Sequence, residues 1–584
     1  MNDAAPRPGP KVSPFVLEIV RNALDAIADE LALIIMRTAY SSIVRDAMDY
    51  STAICDADGS TLAQGLTTPL HLGSFFDAMQ NLRRTQKGRV REGDLFIFND
   101  PYLAGGQHLP DIYVIRPIFV GGSLEGWATT VAHHNDVGGI VPGSNSIGSV
   151  DIFQEGLRLP VLKLHDQGRE NPAIYDIIAA NVRVPDKVIG DLKAQVAACT
   201  VGEREFRVMV ARFGRDTVRA CFAELHDYAE RLARAEFAEI PDGTYRFANT
   251  IDGLGASPEP IPFQVAVTVR GSAIHVDWTG TSPQVRAGIN APIPFTRAAV
   301  YAALRSVLAS DVPNCEGFTR PITIVAPPGT IANPLPPAAC GARGVTGFRM
   351  MDCMFGALAQ AVPSRVAADG SGGSTLPSIS GVHRGKTFVF VETIMGTWGA
   401  TATHDGQEGV AHMGANQSNV PVELIEAEYP LRIEQYAMVS DSGGAGRHRG
   451  GLAMVRDFRI LADDVSLTVR SDKRRFPPFG LHGGGSGSPS ISIINPGPEQ
   501  RILPVLTMEP TTLRRGDLFR HVIAGGGGYG PARERDPGLV RDDVVLGKVT
   551  IAQARDVYRV VLTEMAGGIA IDEAATRILR ADAS

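Results

Sequence analysis

Apolar and polar positions recur at two periods along this chain, and the period changes at recognisable points. After Ser13-Pro14, a hydroxyl residue with proline at a first helical position, Ile19, Ile27, Leu31 and Ile34 follow a helical spacing to about Tyr40. DYSTAICDADGSTLAQG then alternates about Asp58-Gly59, which predicts a hairpin. GSFFDAMQNL (73–82) predicts a helix and GDLFIFND (93–100) a near-continuous apolar strand. The stretch QHLPDIYVIRPIFVGGSLEGWATTVAHHNDVGG (107–139) predicts a second hairpin, with strands over 111–120 and 124–134. Residues 171–238 read as helices. At Ile240-Pro241-Asp242-Gly243 the pattern changes to alternating strands, with one helix near Phe295–Leu308. From about residue 341 glycine becomes frequent, a helix over 347–362 gives way to strands such as KTFVFVETIMG, and the last helices begin near Thr550.

These elements predict a mixed α/β (α+β), multi-domain fold, loop- and glycine-rich, with β-rich middle and C-terminal parts. The expected division is a disordered tail over 1–12, an α/β domain over 13–240, a β-rich domain over 241–340 and a glycine-rich α/β domain over 341–584. The chain's 584 residues exceed what one compact core accommodates, which agrees with several domains.

Composition excludes several classes of function. A net charge of −7 leaves no footprint for nucleic acid or an anionic membrane. Apolar runs stop short of the ~18–20 residues that span a bilayer. The opening MNDAAPRPGPKVSP lacks the basic and apolar parts of a signal peptide. Six cysteines stand singly with no C-x-x-C pair, which suits reduced thiols in a cytoplasm.

The candidate chemistry lies in the second hairpin. Taking Gly121-Gly122-Ser123 as a three-residue loop pairs Val120 with Leu124, and counting back sets Asp111 opposite His133. Directly opposed side chains can share one ion, and His108, three residues before Asp111, can fold over the same face. Two imidazoles and a carboxylate leave coordination positions open, the pattern of a catalytic metal site. One residue of slip exchanges His133 for His134, so both stay candidates. Asp46 and Asp49, after the first helix, can supply a further ligand or a general base, although spacing alone suits a turn and a cap beside Arg45 equally well.

Two glycine loops, SGGAGRHRGG (442–451) and AGGGGYG (524–530), fit no phosphate-loop spacing and are expected to serve turns of positive φ. His404, Asp405 and His412 lie near glycine-rich segments without a pattern of their own, and no G-x-S-x-G elbow is present.

With these residues in view the chain resembles the hydantoinase B/oxoprolinase family. NDPYLAGGQHLPD (99–111), VAHHNDVGGIVPGS (131–144), FQEGLRLP (153–160) and NVRVPDKVIGDLKAQVAA (181–198) carry the resemblance. DSGGAGRHRGG (441–451), GGGGYGPARERDP (525–537) and DVVLGKVTIAQARDVYRVVL (543–562) continue it in order. The resemblance implies a hydantoinase A-type partner of the actin/Hsp70 ATPase kind, which would bind ATP in place of this chain, in a hetero-oligomer such as α2β2. It implies Mn²⁺ or Zn²⁺ on His108, Asp111 and His133, with Asp46 or Asp49 taking a proton from water and His71, in PLHLGSF, lining the cleft. The implied reaction opens a cyclic amide (a hydantoin, 5-oxoproline or a larger lactam) after the partner has phosphorylated the carbonyl oxygen. Chain length favours this hydrolase over a ketone carboxylase of the acetone type; a carboxylase of the acetophenone type, nearer in size, stays the alternative. A non-catalytic scaffold for the ATPase is the third reading.

Overall fold

The computed structural model of the chain describes residues 12–65, 68–372, 375–565 and 568–581. Apart from Val12, the tail expected over 1–12 lies outside the described residues. Helix α1 (Pro14–Thr38) has proline in its first turn, but the Ser13 side chain makes no capping bond. Its buried face runs through Val20, Leu24, Ile27, Leu31 and Ile35. Ile27 and Leu31 are buried as expected, whereas Ile19 faces solvent and Val20 takes its place in the stripe.

A short helix α2 (Ser42–Arg45) leads into β1 (Tyr50–Asp56) and β2 (Thr61–Gln64), joined at Asp58-Gly59 as the alternation predicts. There follow α3 (Pro69–Leu72), α4 (Ser74–Thr85), β3 (Leu95–Phe98), β4 (Asp111–Val120), β5 (Ser123–His133), β6 (Leu162–Asp166) and β7 (Arg169–Glu170). The strands form one antiparallel sheet in the order β2-β1-β5-β4-β3-β6-β7. Helices α5 (Pro172–Asn181), α6 (Pro185–Phe213) and α7 (Arg215–Ala238) come next, and α1 and α6 pack on one sheet face. Phe75, Met79 and Leu82 of α4 cover the other face, against Phe96, Phe98, Tyr113 and Trp127. With both faces covered, β3 is apolar at every position, which explains why its sequence does not alternate.

The β4–β5 hairpin corrects one expectation while preserving its consequence. The turn is two residues, Gly121-Gly122, both at positive φ (+57° and +79°), so Val120 pairs with Ser123 and not with Leu124. The register then shifts between Ile118 and Phe119, where Glu125 is an extra residue. That bulge restores the count, and Asp111 stands opposite His133. Glu125 is held in place from outside the sheet by Arg219, whose Nε and Nη2 lie 2.7 and 2.8 Å from its two carboxylate oxygens.

Beyond residue 240, β8 (Gly243–Ile251), β9 (Ile261–Arg270) and β10 (Ala273–Asp277) form an antiparallel run. After α8 (Ile293–Arg305), β11 (Ile322–Val325) joins β10 in parallel. Helix α9 (Gly344–Leu358) is buried along its whole length, packed between α8 and the β8–β9 pair. Strands β12 (Leu376–His383) and β13 (Lys386–Val391) belong to a four-stranded sheet with 465–470 and 511–513, and a five-stranded sheet follows over 431–522. The C-terminal helices start at Pro537, earlier than expected; Thr550 caps the second of them.

The glycine loops do not work as expected. In 442–451 and 524–530 only Gly530 has positive φ. The others, with Gly484, let four backbone segments touch: a Cβ on Gly450 would lie 2.0 Å from Gly526 O, on Gly484 2.1 Å from Gly528 O, and on Gly526 2.3 Å from Trp398 O. Gly444 N–H donates to Gly526 O and Gly528 N–H to Gly485 O, at 2.7 and 2.9 Å. The requirement is close approach of main chains, not turn conformation.

Candidate metal centre

Asp111 opens β4 and His133 closes β5, so the hairpin's register sets them side by side at the end of the sheet. The period of two puts both on the α4 face, with Tyr113 and Val131. His108 folds back over them in a loop closed by a hydrogen bond from Asp111 N–H to His108 O at 3.2 Å. The result is a buried triangle: His108 Nε2 lies 3.0 Å from Asp111 Oδ1 and 3.1 Å from His133 Nδ1, and His133 Nδ1 lies 3.3 Å from Asp111 Oδ1.

The donor set fits a divalent cation. His108 Nδ1 donates to Gly341 O at 2.8 Å, which fixes the tautomer and leaves Nε2 with a bare lone pair aimed at the other two atoms. Burial, then the Arg343 guanidinium, pushes the His108 pKa down to about 3, so the ring stays neutral. At most one proton, on His133 Nδ1, is available to three converging acceptor atoms. A cation satisfies all three, since donors on bonds of ~2.0–2.2 Å are ~3–3.5 Å apart in tetrahedral or octahedral geometry.

Residues distant in sequence complete the environment. The Arg343 guanidinium contacts Asp111 Oδ2 and donates to Gln107 Oε1 at 3.2 Å, holding the Asp111 pKa well below the usual carboxylate range despite burial. Glu155 accepts from the N–H groups of Cys340 and Gly341, the shortest at 2.6 Å, and so fixes the carbonyl that orients His108. Burial raises the Glu155 pKa to about 8. His71, from α3, shares a hydrogen bond between Nδ1 and Ser51 Oγ at 3.1 Å, and its Nε2 lies 3.6 Å from Asp111 Oδ2 and 3.8 Å from Asp49 Oδ1. Asp49 is also 3.9 Å from His133 Nδ1, and its carbonyl accepts from His133 N–H at 2.9 Å. Burial and repulsion from Arg343 lower the Arg470 pKa to about 9. Asp49, His71, Arg343 and Arg470 face a cleft of about 40 Å³ at the N-terminus of α9.

Two other candidates lie elsewhere. His134 points to the α6 face, with Nε2 2.9 Å from Gln195 Oε1, because adjacent strand residues face opposite ways. The Asp46 carboxylate is turned onto Arg45, with its closest contact at 2.8 Å, and is absent from the cleft lining. No spacing or periodicity in the sequence singles out Arg343, Arg470, Gln107 or Glu155. Gln107 and Glu155 lie inside segments that carry the family resemblance, the one signal available for them.

A sequence profile described as hydantoinase B/oxoprolinase matches residues 13–532. The chain belongs to the hydantoinase B/oxoprolinase family. It is 34% identical over 571 residues to a protein of Pseudomonas sp. (strain NS671) named as the B-type component of a D-/L-hydantoinase, covering 95% of this chain and 96% of that one. It is 32% identical over 588 residues to the beta chain of the caprolactamase of Pseudomonas jessenii, covering 98% and 99%. The crystal structure of the ATP-dependent caprolactamase from that organism superposes with a TM-score of 0.91 at 30% identity, over 98% of this chain and 100% of the matched one. The nucleotide-free acetone carboxylase structure shares the fold, with a TM-score of 0.89 at 21% identity over 98% and 83%. The mixed, multi-sheet, multi-domain architecture of this family member is therefore that of the caprolactamase chain.

Proposed function

We propose that this chain is the metal-dependent, hydantoinase B-type component of an ATP-dependent cyclic amidase and completes ring opening of a carbonyl-phosphorylated substrate made by an ATPase partner. The observation that carries the reading is the convergence of His108 Nε2, Asp111 Oδ1 and His133 Nδ1 within 3.3 Å of one another in a buried site. Kinship with the caprolactamase beta chain and the hydantoinase B-type component supports the substrate class and the need for a partner.

His108, Asp111 and His133 would hold the cation, Mn²⁺ or Zn²⁺ by its donor set. When bound, such a cation supplies a Lewis acid that brings water to ionise near neutral pH. The chain's own residues do the rest. Asp49 accepts the proton of the attacking water, with His71 beside it to pass that proton on. Arg343 and Arg470, at the N-terminus of α9, bind the oxygens of the substrate's phosphoryl group, where two guanidinium groups and the helix dipole favour an anion. Water adds to the phosphorylated carbon, the ring C–N bond breaks as the nitrogen gains a proton, and a second water converts the remaining acyl phosphate to carboxylate and phosphate.

The test is to co-purify the chain with an A-type ATPase partner and assay hydantoins, 5-oxoproline and lactams with and without bicarbonate. Ring opening coupled to ATP cleavage and indifferent to bicarbonate is expected. Bicarbonate-dependent conversion of a ketone to a keto acid would replace this reading with a carboxylase.

A further inference from the structure

The cleft at the candidate metal centre measures about 40 Å³, room for a few waters. A separate cavity of about 210 Å³ lies directly behind it. The partition between them is one helical turn, α3: Leu70 and His71 face the cleft, while Pro69 and the following Gly73 line the larger cavity. The segment around Met413 completes the partition, since Met413 lines the cavity and Ala415 the cleft, and Leu70 N–H donates to Gly414 O at 3.1 Å. Gly73 lets α3 sit against α8, because a Cβ there would lie 2.7 Å from Ala298 Cα.

The cavity has an apolar body and a polar end. Phe76, Ala302, Phe318 and Met413 form the walls. At the polar end the Arg305 guanidinium spends Nη2 on Val312 O at 2.6 Å, while its buried Nη1 has no hydrogen-bond partner among the described residues. Glu316 lines the same space and accepts from Thr319 Oγ1 at 3.0 Å, with its other oxygen outside that bond. An orphaned buried donor is costly and calls for an acceptor. A simple lactam carries C=O and N–H on the same edge of its ring, matching one donor and one acceptor, and its other edge is apolar; a hydantoin offers the same C=O and N–H edge.

We propose that this cavity is a second binding site for the unphosphorylated cyclic amide, with Arg305 receiving the carbonyl, Glu316 the ring N–H, and the ring held one helical turn from His71. The inference rests on the cyclic-amide reading above for its ligand class but not on the metal centre for its position.

The test is equilibrium binding of caprolactam, hydantoin and 5-oxoproline to the full-length, metal-loaded chain without partner. Saturable binding of at least one is expected. It should weaken at least tenfold in Ala302→Phe, which fills the cavity, and in Arg305→Met, which removes the donor. It should persist in His108→Ala/Asp111→Ala, whose metal site is dismantled. Unfolding midpoints identify any variant that fails to fold, and the two cavity variants act independently. Lack of saturable binding, or binding that survives both cavity variants and disappears with the metal ligands, overturns the second site. A reconstituted complex that opens no ring, while this binding persists, would instead defeat the amidase reading.

Discussion

At the residue scale the centre depends on how few protons are available to three lone-pair atoms. His108→Ala/Asp111→Ala removes two of the three donors. The wild-type chain should purify with roughly one divalent ion and the double variant with less than about a tenth of that, by elemental analysis. Full occupancy in the variant would remove the site from consideration. Glu155 makes a subtler case. Its carboxyl titrates near 8 when folded, against 4.5 for an ordinary Glu. Between those values the folded chain keeps a proton that the unfolded chain has lost, so this group makes stability fall as pH rises through the window. Glu155→Gln still offers an oxygen to the N–H groups of Cys340 and Gly341 but cannot titrate. Its unfolding midpoint should depend less on pH between about 5 and 8 than the wild type's; parallel curves would contradict this account.

At the scale of elements, the hairpin and the glycine cluster show what local patterning can and cannot convey. The β4–β5 alternation conveys the strands and the facing pair, yet the turn is a residue shorter than expected and a bulge at Glu125 makes up the difference. Deleting Glu125 should leave Asp111 opposite His133, because the bulge residue has no partner across the ladder. Metal content should therefore hold while stability falls, as Arg219 loses its carboxylate. A loss of metal would mean that the bulge orients the ligands as well as filling the count. In the glycine cluster Gly526→Ala drives a methyl toward Trp398 O at 2.3 Å, a backbone atom that cannot move aside alone. A cost at or above the ~1–3 kcal/mol typical of overpacking is expected in denaturant unfolding. Sequence reading assigns these glycines to turns because φ and main-chain contact leave the same mark in a sequence, a glycine.

At the scale of the molecule, the centre ties the first sheet to α9 and to the sheet that contains Arg470. Removing the cation should leave the buried Asp111–His108–His133 triangle short of protons. Chelated protein should melt at a lower temperature and recover on addition of Mn²⁺ or Zn²⁺. An unchanged midpoint would argue against a folded-state ion. The pairing of Asp111 with His133, the longer helices of the first 240 residues and kinship with the family were all legible in the chain itself. Each rests on short-range periodicity or on contiguous segments, and a hairpin brings residues 22 apart together by its own register. The choice of His133 over His134, of Asp49 over Asp46 as the residue facing the cleft, and the arrival of Arg343, Arg470 and the Gly341 carbonyl came only with the tertiary structure. Gly341 O lies 233 residues from His108 along the chain, and no periodicity operates over such a separation. Contacts of that kind are set by how buried layers stack, and layer stacking depends on the shapes of whole faces, not on the order of residues within any one of them.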